Sequence, residues 1–98
     1  MATQSINQVK PLFALGQTVA TRGALAAMEQ SGISPLALLS RHQRGDWGDL
    51  GDEDKDSNQE ALAKGFRILS AYRFDTVRLW VITEAGRSTT TILLPEEY

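Results

Sequence analysis

Residues 41–50, with the sequence RHQRGDWGDL, hold the densest group of side chains that could do chemistry. His42 is the single histidine of the chain and ends a predicted helix between two arginines. A helix C-terminus and a carboxylate such as Asp46 both favour the protonated imidazolium. His42 is therefore a candidate general acid or base. The alternative is a helix-ending histidine that hydrogen-bonds the following loop.

A second group lies in the last third of the chain, where the strand register described below places Arg67 opposite Glu84 and Glu84 opposite Thr89. A carboxylate base, arginines for a phosphate and a histidine acid are the parts of a metal-independent ribonuclease. The catalytic hypothesis therefore combines His42, Glu84, Arg67 and Arg87. Its alternative is a cross-strand salt bridge on a solvated sheet face.

The acidic side chains are concentrated in one segment. Residues 46–60 carry seven acidic and one basic side chain, a net charge of −6, whereas residues 1–45 have a net charge of +3 and residues 61–98 of +1. That distribution disfavours nonspecific nucleic-acid binding, which needs lysine and arginine to neutralise phosphates. Trp47 lies inside the acidic segment, and we expect it either to face a partner or to plug the loop from beneath.

The same segment has a partial calcium motif. Asp52, Asp54 and Asp56 match the first three ligand positions of an EF-hand loop. Ser57 stands where glycine is needed and Ala63 where the bidentate glutamate belongs. The favoured interpretation is a solvated helix start, because carboxylates stabilise a helix N-terminus. The sequence predicts no metal site and no cofactor.

Three antiparallel strands are predicted between residues 66 and 94. The two-residue turn Asp75-Thr76 favours a tight hairpin in which Phe74 faces Val77. A second turn at residues 85–88 then places Val81 opposite Ile92. Alternation along the strands gives a core face that contains Phe66, Ile68, Tyr72, Phe74, Val77, Leu79, Val81, Ile92 and Leu94.

The opposite, outer face has an apolar middle and arginines toward one end. It includes Arg73, Arg78 and Trp80, and the register puts Trp80 beside Ala71 and Leu93. An apolar face of this kind needs a cover. Residues 12–21 read as a short strand that extends the sheet or covers its edge. We expect the outer face to be covered by this segment or by a second copy of the chain.

Helices are predicted before the sheet. Thr21 is a candidate N-cap for a helix over residues 22–30, with Leu25 and Met28 facing inward. Ser34 and Pro35 start a second helix, with Leu36, Leu38 and Leu39, that stops at Gly45. A third begins among residues 52–56 and ends at Gly65.

Together these elements predict an α+β domain in which two or three N-terminal helices pack on one face of a three- to four-stranded antiparallel sheet. The 98 residues form one domain, with residues 1–11 flexible. Without cysteine, a signal-peptide pattern or a long apolar run, the chain is expected in the cytoplasm, and no membrane partner is expected.

The segments RHQRGDWGDL, GFRILSAYR and LWVITEAGRSTTTILLPEEY resemble a group of short bacterial proteins carried on plasmids and integrative elements. Members are often labelled "plasmid-related protein" or "type I restriction endonuclease subunit M". The resemblance covers about residues 15–98 and implies a mobile-element accessory protein. The methyltransferase label is not supported by these residues, because the chain is far too short and has no Asn-Pro-Pro-Tyr-like motif.

The sequence therefore predicts a small accessory protein that acts by binding a macromolecule, with inhibition of a host defence or nucleic-acid-binding complex as one form of that action. A protein partner is expected rather than nucleic acid, and a homodimer through the outer sheet face is an additional expectation. The alternative function is a ribonuclease toxin of the barnase or RelE type. The candidate partner-binding side chains are Asp46, Trp47, Asp49, Asp52, Glu53, Asp54, Arg73, Arg78 and Trp80.

Overall fold

The computed structural model describes residues 10–98 as an α+β structure with three α-helices and one four-stranded sheet. In chain order the elements are β1 (Gln17–Ala20), α1 (Arg22–Ser31), α2 (Pro35–Gln43), α3 (Asp52–Lys64), β2 (Ile68–Phe74), β3 (Val77–Thr83) and β4 (Thr89–Leu93). Short 3-10 helices span Ala85–Arg87 and Pro95–Glu97. The predicted flexible start falls mostly on residues 1–9, which lie outside the described residues. No helix within residues 10–98 has the length and apolar character needed to cross a bilayer.

The predicted register of the β2–β3–β4 meander is confirmed. Phe74 pairs with Val77 across the two-residue turn, and Tyr72 pairs with Leu79. Val81 pairs with Ile92 in the next strand. Asp75 adopts a positive φ of 60° in the turn, a conformation that aspartate tolerates better than most residues. The core and outer faces therefore alternate as the period of two requires.

The prediction of a purely antiparallel sheet is wrong. The sheet order is β1-β4-β3-β2, and β1 pairs with β4 in the parallel direction. All three helices and two strands separate β1 from β4 along the chain, so the connection is long enough to return in the same direction. β1 thus extends the sheet at its β4 edge and does not lie across the outer face.

Capping residues start and stop α1 and α2 at the predicted places. The hydroxyl of Thr21 accepts a hydrogen bond from the backbone N–H of Ala24, and Gly32 ends α1 with a left-handed φ of 69°. Ser34 caps α2 in the same way, with Pro35 in its first turn. These helices bury Ala24, Met28, Leu38 and Leu39 against the core face of the sheet.

Leu25 was predicted to face inward and does not, and Leu36 in α2 is also exposed. Leu25 is 53% exposed and Leu36 is 77% exposed. Both helices are short, with ten residues in α1 and nine in α2. Each buries only a narrow apolar stripe, which contains Met28 in α1 and Leu38 and Leu39 in α2. The apolar character of Leu25 and Leu36 therefore did not decide their orientation. Phe66, predicted to lie in the core, is also 54% exposed.

α3 closes the edge of the sheet beside β2. The side-chain amide of Asn58 donates to the backbone carbonyl of Leu69 at 2.7 Å and accepts from its N–H at 3.2 Å. Ala61 packs with Trp47 and Ile68 in a second, smaller core cluster. Because α3 is strongly polar, these few residues are its buried part. An edge strand with open backbone groups is prone to pair with other chains, and α3 blunts that edge.

Trp80 lies on the outer face beside Ala71 and Leu93, as predicted. β1, in residues 12–21, lies in the sheet beside β4 and does not cover Trp80. The C-terminal 3-10 helix brings the ring of Tyr98 against Trp80, with ring centroids 5.7 Å apart. Ile82 and Leu93 on this face are each only 5% exposed. The homodimer on this face stays a prediction.

Candidate functional site

His42 lies at the centre of a buried chain of hydroxyl groups. Its Nδ1 is 2.6 Å from the Ser70 hydroxyl, and its Nε2 is 2.9 Å from the Thr83 hydroxyl. Thr83 in turn lies 2.7 Å from the hydroxyl of Thr90, which donates to the backbone carbonyl of Leu15 at 2.7 Å. The imidazole is fully buried. The network therefore joins α2 to β2, β3 and β4 through the core.

The donor and acceptor in each hydrogen bond of this network follow from the Leu15 carbonyl, at which the network ends. The Leu15 carbonyl only accepts, so Thr90 uses its single proton there and must accept from Thr83. Thr83 has then spent its own proton, so Nε2–H of His42 donates to Thr83. The unprotonated Nδ1 accepts from Ser70. His42 is thereby fixed as the neutral Nε2–H tautomer.

Burial lowers the pKa of His42 to about 4, with a smaller contribution from the positive charge of Arg87. The sequence-based expectation that a helix end and Asp46 would favour the protonated form is therefore wrong. Desolvation outweighs the helix end, and Asp46 bonds elsewhere. Both ring nitrogens are engaged and neither reaches solvent, so His42 holds the core together rather than presenting a proton to a substrate.

The rest of the predicted catalytic set is only partly brought together. Arg67 and Glu84 form the expected cross-strand ion pair at 3.1 Å on the solvated side of the sheet. Hydrogen bonds to Glu84 and then to Tyr98 raise the pKa of Arg67. His42 points to the buried side, away from this pair. The arrangement thus has the form of a structural salt bridge and offers no accessible general acid.

Arg87, predicted to bind a phosphate, hydrogen-bonds backbone carbonyls. Its guanidinium donates to the carbonyl of Phe66 at 2.6 Å and to that of Ala61 at 2.9 Å. Ala61 lies in the last turn of α3, and its carbonyl also accepts from the N–H of Gly65, the residue that ends the helix. The guanidinium also lies 5.5 Å from the centre of the Phe13 ring. Arg87 therefore ties the end of α3 to the start of β2.

Asp46 and Trp47, both predicted to contact a partner, have internal roles. Asp46 pairs with Arg41 at 2.7 Å and accepts from the N–H of Gly48 at 3.2 Å. The hydrogen bond from Arg41 is the main reason why the pKa of Asp46 is lowered. Trp47 is 5% exposed and contacts the rings of Phe13 and His42. Of the two interpretations of Trp47, the structure supports the one in which its side chain is buried beneath the loop.

Residues 47–49 form a parallel bridge to the edge of β2 that the sequence did not predict. The N–H of Ala71 donates to the Trp47 carbonyl at 3.1 Å, and the N–H of Asp49 donates to the Ala71 carbonyl at 2.7 Å. Gly48 has a φ of 75°, and a Cβ there would stand 2.0 Å from the Ala71 carbonyl oxygen. A glycine between Trp47 and Asp49 was the available sequence signal. The bridge fixes Asp49 at the sheet edge with its side chain exposed.

Four exposed acidic side chains near the start of α3 are here called the acidic surface, which consists of Asp49, Asp52, Glu53 and Asp54. The last three make up the first turn of α3, and all four are exposed. None of them forms an ion pair with another residue in the range 10–98. Backbone N–H groups at a helix N-terminus favour negative charge, which suits the three carboxylates in the first turn of α3.

Arg73, Arg78 and Trp80 form a separate group on the outer face of the sheet. Arg73 and Arg78 are paired directly across β2 and β3, and the next pair on that face is Ala71 with Trp80. Both arginines are exposed, whereas Trp80 is half-buried. With Asp49, Ala71 and Tyr72 they line a cleft, here called the arginine cleft. Four predicted partner-binding residues thus line one cleft, namely Asp49, Arg73, Arg78 and Trp80.

The acidic segment does not form an ion-binding loop. Asp52, Asp54 and Asp56 all lie within α3, where successive side chains point in different directions around the helix axis. Among residues 10–98 no group of three or more histidine or carboxylate side chains is placed to hold a metal ion.

No protein family model, curated protein or solved structure matches this chain.

Proposed function

We propose that this chain is a small mobile-element accessory protein that binds another protein through the acidic surface. The observation that carries the proposal is that Asp49, Asp52, Glu53 and Asp54 are exposed and without an ion-pair partner among residues 10–98. The three carboxylates of the first turn interact favourably with the helix N-terminus, but like charges gathered on one surface also repel one another. A basic partner surface removes that repulsion and is attracted from a distance.

The chemistry expected of the partner follows from the arrangement of these four carboxylates. The first turn of α3 and the strand edge at Asp49 together carry four exposed negative groups, and a nucleic-acid backbone is likewise a dense array of negative charge. A protein surface that binds phosphates with lysine and arginine is the complementary surface. The proposed partner is therefore a nucleic-acid-binding protein or complex of the host cell, and occupation of its basic surface inhibits it.

Affinity capture with matched variants tests this function. The full chain, the acidic-surface variant D52N/E53Q/D54N and a control variant E29Q/E60Q/E96Q are used as baits in a lysate of the natural host. Both variants lose three carboxylates from exposed positions, so their net charges are equal. We expect the wild type and the control to capture the same basic protein, and the acidic-surface variant to lose it.

Two results would contradict the proposed function. One is capture that survives in D52N/E53Q/D54N as well as in the control. The other is the absence of any captured protein together with loss of intact RNA from the same lysate, which would point to the ribonuclease alternative. Circular dichroism of each bait beforehand shows whether the variants keep the fold.

A further inference from the structure

The arginine cleft has the size and the lining of a small-molecule site. Its volume is about 300 Å³, and its walls come from Asp49, Ala71, Tyr72, Arg73, Arg78 and Trp80. That volume is at the lower end of the range for ligand sites in proteins. Ala71, with the smallest side chain of the set, forms part of the wall between Trp80 and the carboxylate of Asp49.

The two arginines create a place for an anion. Arg73 and Arg78 face each other across neighbouring strands, where Cα atoms are roughly 5 Å apart. Like charges directly opposite in a sheet destabilise it, and neither arginine has a carboxylate partner among residues 10–98. An anion bound between the guanidinium groups replaces this repulsion with attraction. The planar fork of each guanidinium matches the oxygens of a phosphate.

Trp80 and Asp49 add groups that a simple anion does not need. Trp80 lies one pair further along the same face and lines the cleft with its indole ring. An aromatic ring beside a cationic pair is a stacking surface for a planar heterocycle. Asp49 is held by the bond from its N–H to the Ala71 carbonyl, and its carboxylate accepts hydrogen bonds only. A hydroxyl or amino donor on the ligand satisfies it.

From this arrangement we infer that the arginine cleft binds a nucleoside phosphate. The phosphate lies between Arg73 and Arg78, the base stacks on Trp80, and Asp49 accepts from a ribose hydroxyl or a base amino group. This site is distinct from the acidic surface in function, although Asp49 borders both.

The surrounding charge selects a mononucleotide over a polynucleotide. A nucleic-acid strand carries one negative charge per nucleotide, so a strand that enters the cleft must pass further phosphates along its rim. That rim includes Asp49, and residues 46–60 as a whole carry a net charge of −6. α3 is joined to β2 through Asn58 and Leu69 and begins three residues after Asp49, which keeps its acidic first turn close to the cleft. A single nucleotide meets Asp49 with a hydroxyl or amino donor and carries no further phosphates past the other carboxylates.

Titration of the full-length chain tests the inference. Adenosine, guanosine, cytidine and uridine 5′-monophosphates, adenosine alone, inorganic phosphate and a single-stranded oligonucleotide are each added and followed by backbone amide chemical shifts and calorimetry. We expect at least one mononucleotide to bind with a sub-millimolar Kd, more tightly than adenosine or phosphate alone. The shifts should concentrate at Ala71, Arg73, Arg78 and Trp80.

Variants assign the binding to the cleft. R73Q/R78Q should weaken nucleotide binding at least ten-fold, and W80L should remove the difference between nucleotide and inorganic phosphate. The control R22Q/R44Q removes the same charge at two other exposed arginines and should bind as the wild type does. Both arginines of the cleft are exposed, so R73Q/R78Q is expected to fold, and its amide spectrum verifies this.

Three results would overturn the inference: no mononucleotide binding at millimolar concentration, tighter binding of the oligonucleotide, or equal binding by wild type and R73Q/R78Q. Because Asp52, Glu53 and Asp54 do not line the cleft, these results leave the capture experiment on the acidic surface unaffected.

Discussion

Several polar residues that the sequence suggested as catalytic have structural roles in this fold. His42 is the clearest case, because its neighbours in the network come from strands 28 and 41 residues away along the chain. A histidine near a helix end in the sequence carries no information about hydroxyls that reach it from the sheet. Arg87 likewise bonds backbone carbonyls, and Trp47 fills the space between Phe13 and Ile68.

The buried imidazole predicts a specific dependence of stability on pH. The pKa of His42 is about 4 in the folded chain against an ordinary value of 6.5, so the unfolded chain takes up the proton first. The contribution of His42 to stability is complete above pH 6.5 and is lost as the pH falls toward 4. The free energy of unfolding should fall by roughly 3 kcal/mol through that window.

Urea unfolding of the wild type and of His42→Gln at several pH values measures this effect. Glutamine can still hydrogen-bond the Ser70 and Thr83 hydroxyls but does not titrate. The variant should be less stable at pH 7 and should lack most of the wild-type slope between pH 6.5 and 4.5. Asp46 and Glu97, whose pKa values are lowered, titrate below this window and are present in both proteins. Identical slopes would show that His42 is not held neutral.

At the scale of the elements, the two edges of the sheet are treated differently. The β2 edge is closed twice, by the Asn58 side chain at Leu69 and by residues 47–49 at Ala71. The other edge is β1, which pairs with β4 alone. The closed edge is the one that carries Asp49, so the same bonds that protect the strand also position a carboxylate of the acidic surface.

The close approach at Gly48 predicts that its substitution is more costly than that of another glycine with the same backbone angle. Gly48 and Gly65 have φ values of 75° and 76°, but a Cβ at Gly65 would meet nothing within 4 Å. Gly65→Ala should therefore cost only the left-handed backbone penalty, about 1 to 2 kcal/mol. Gly48→Ala carries the same penalty and must also displace residues 47–49 from Ala71.

Thermal and urea unfolding of the two variants compare these costs, and hydrogen exchange at Ala71 and Asp49 reports on the bridge itself. Gly48→Ala should be the less stable variant, with faster exchange at both amides. Equal losses of stability with unchanged exchange would mean that the bridge contributes nothing to the edge.

Which elements were predictable depends on how local their causes are. The hairpin register needed only the alternation of side chains and a two-residue turn at Asp75-Thr76, and the helix ends needed only Thr21, Ser34 and Gly65. The parallel pairing of β1 with β4 joins Gln17 to Thr89, and no local pattern specifies it. The same distinction applies to the candidate site. The pairing of Arg67 with Glu84 was predictable because it follows from the strand register. The burial of His42 and the bridge at Gly48 depend on contacts with distant parts of the chain and were not predictable.

The described part of the molecule is tied together by bonds between distant parts of the chain. Glu97 accepts from the N–H of Gly23 at 3.1 Å and bonds the hydroxyl of Thr21, so it supplies the acidic group that the first turn of α1 lacks. Tyr98 then reaches Trp80 and the guanidinium of Arg67. This framework holds the acidic surface and the arginine cleft at fixed positions, which favours recognition of a partner without a change in shape.

Calorimetric affinities of the captured partner for the wild type, D52N/E53Q/D54N and E29Q/E60Q/E96Q, at several salt concentrations, test the central claim most directly. Binding through the acidic surface predicts that the wild-type affinity falls as salt rises from about 50 to about 200 mM, because salt screens exposed charges. It also predicts a loss of about ten-fold in D52N/E53Q/D54N at low salt, with the control close to wild type. An affinity that is independent of salt and equal in all three proteins would contradict the account.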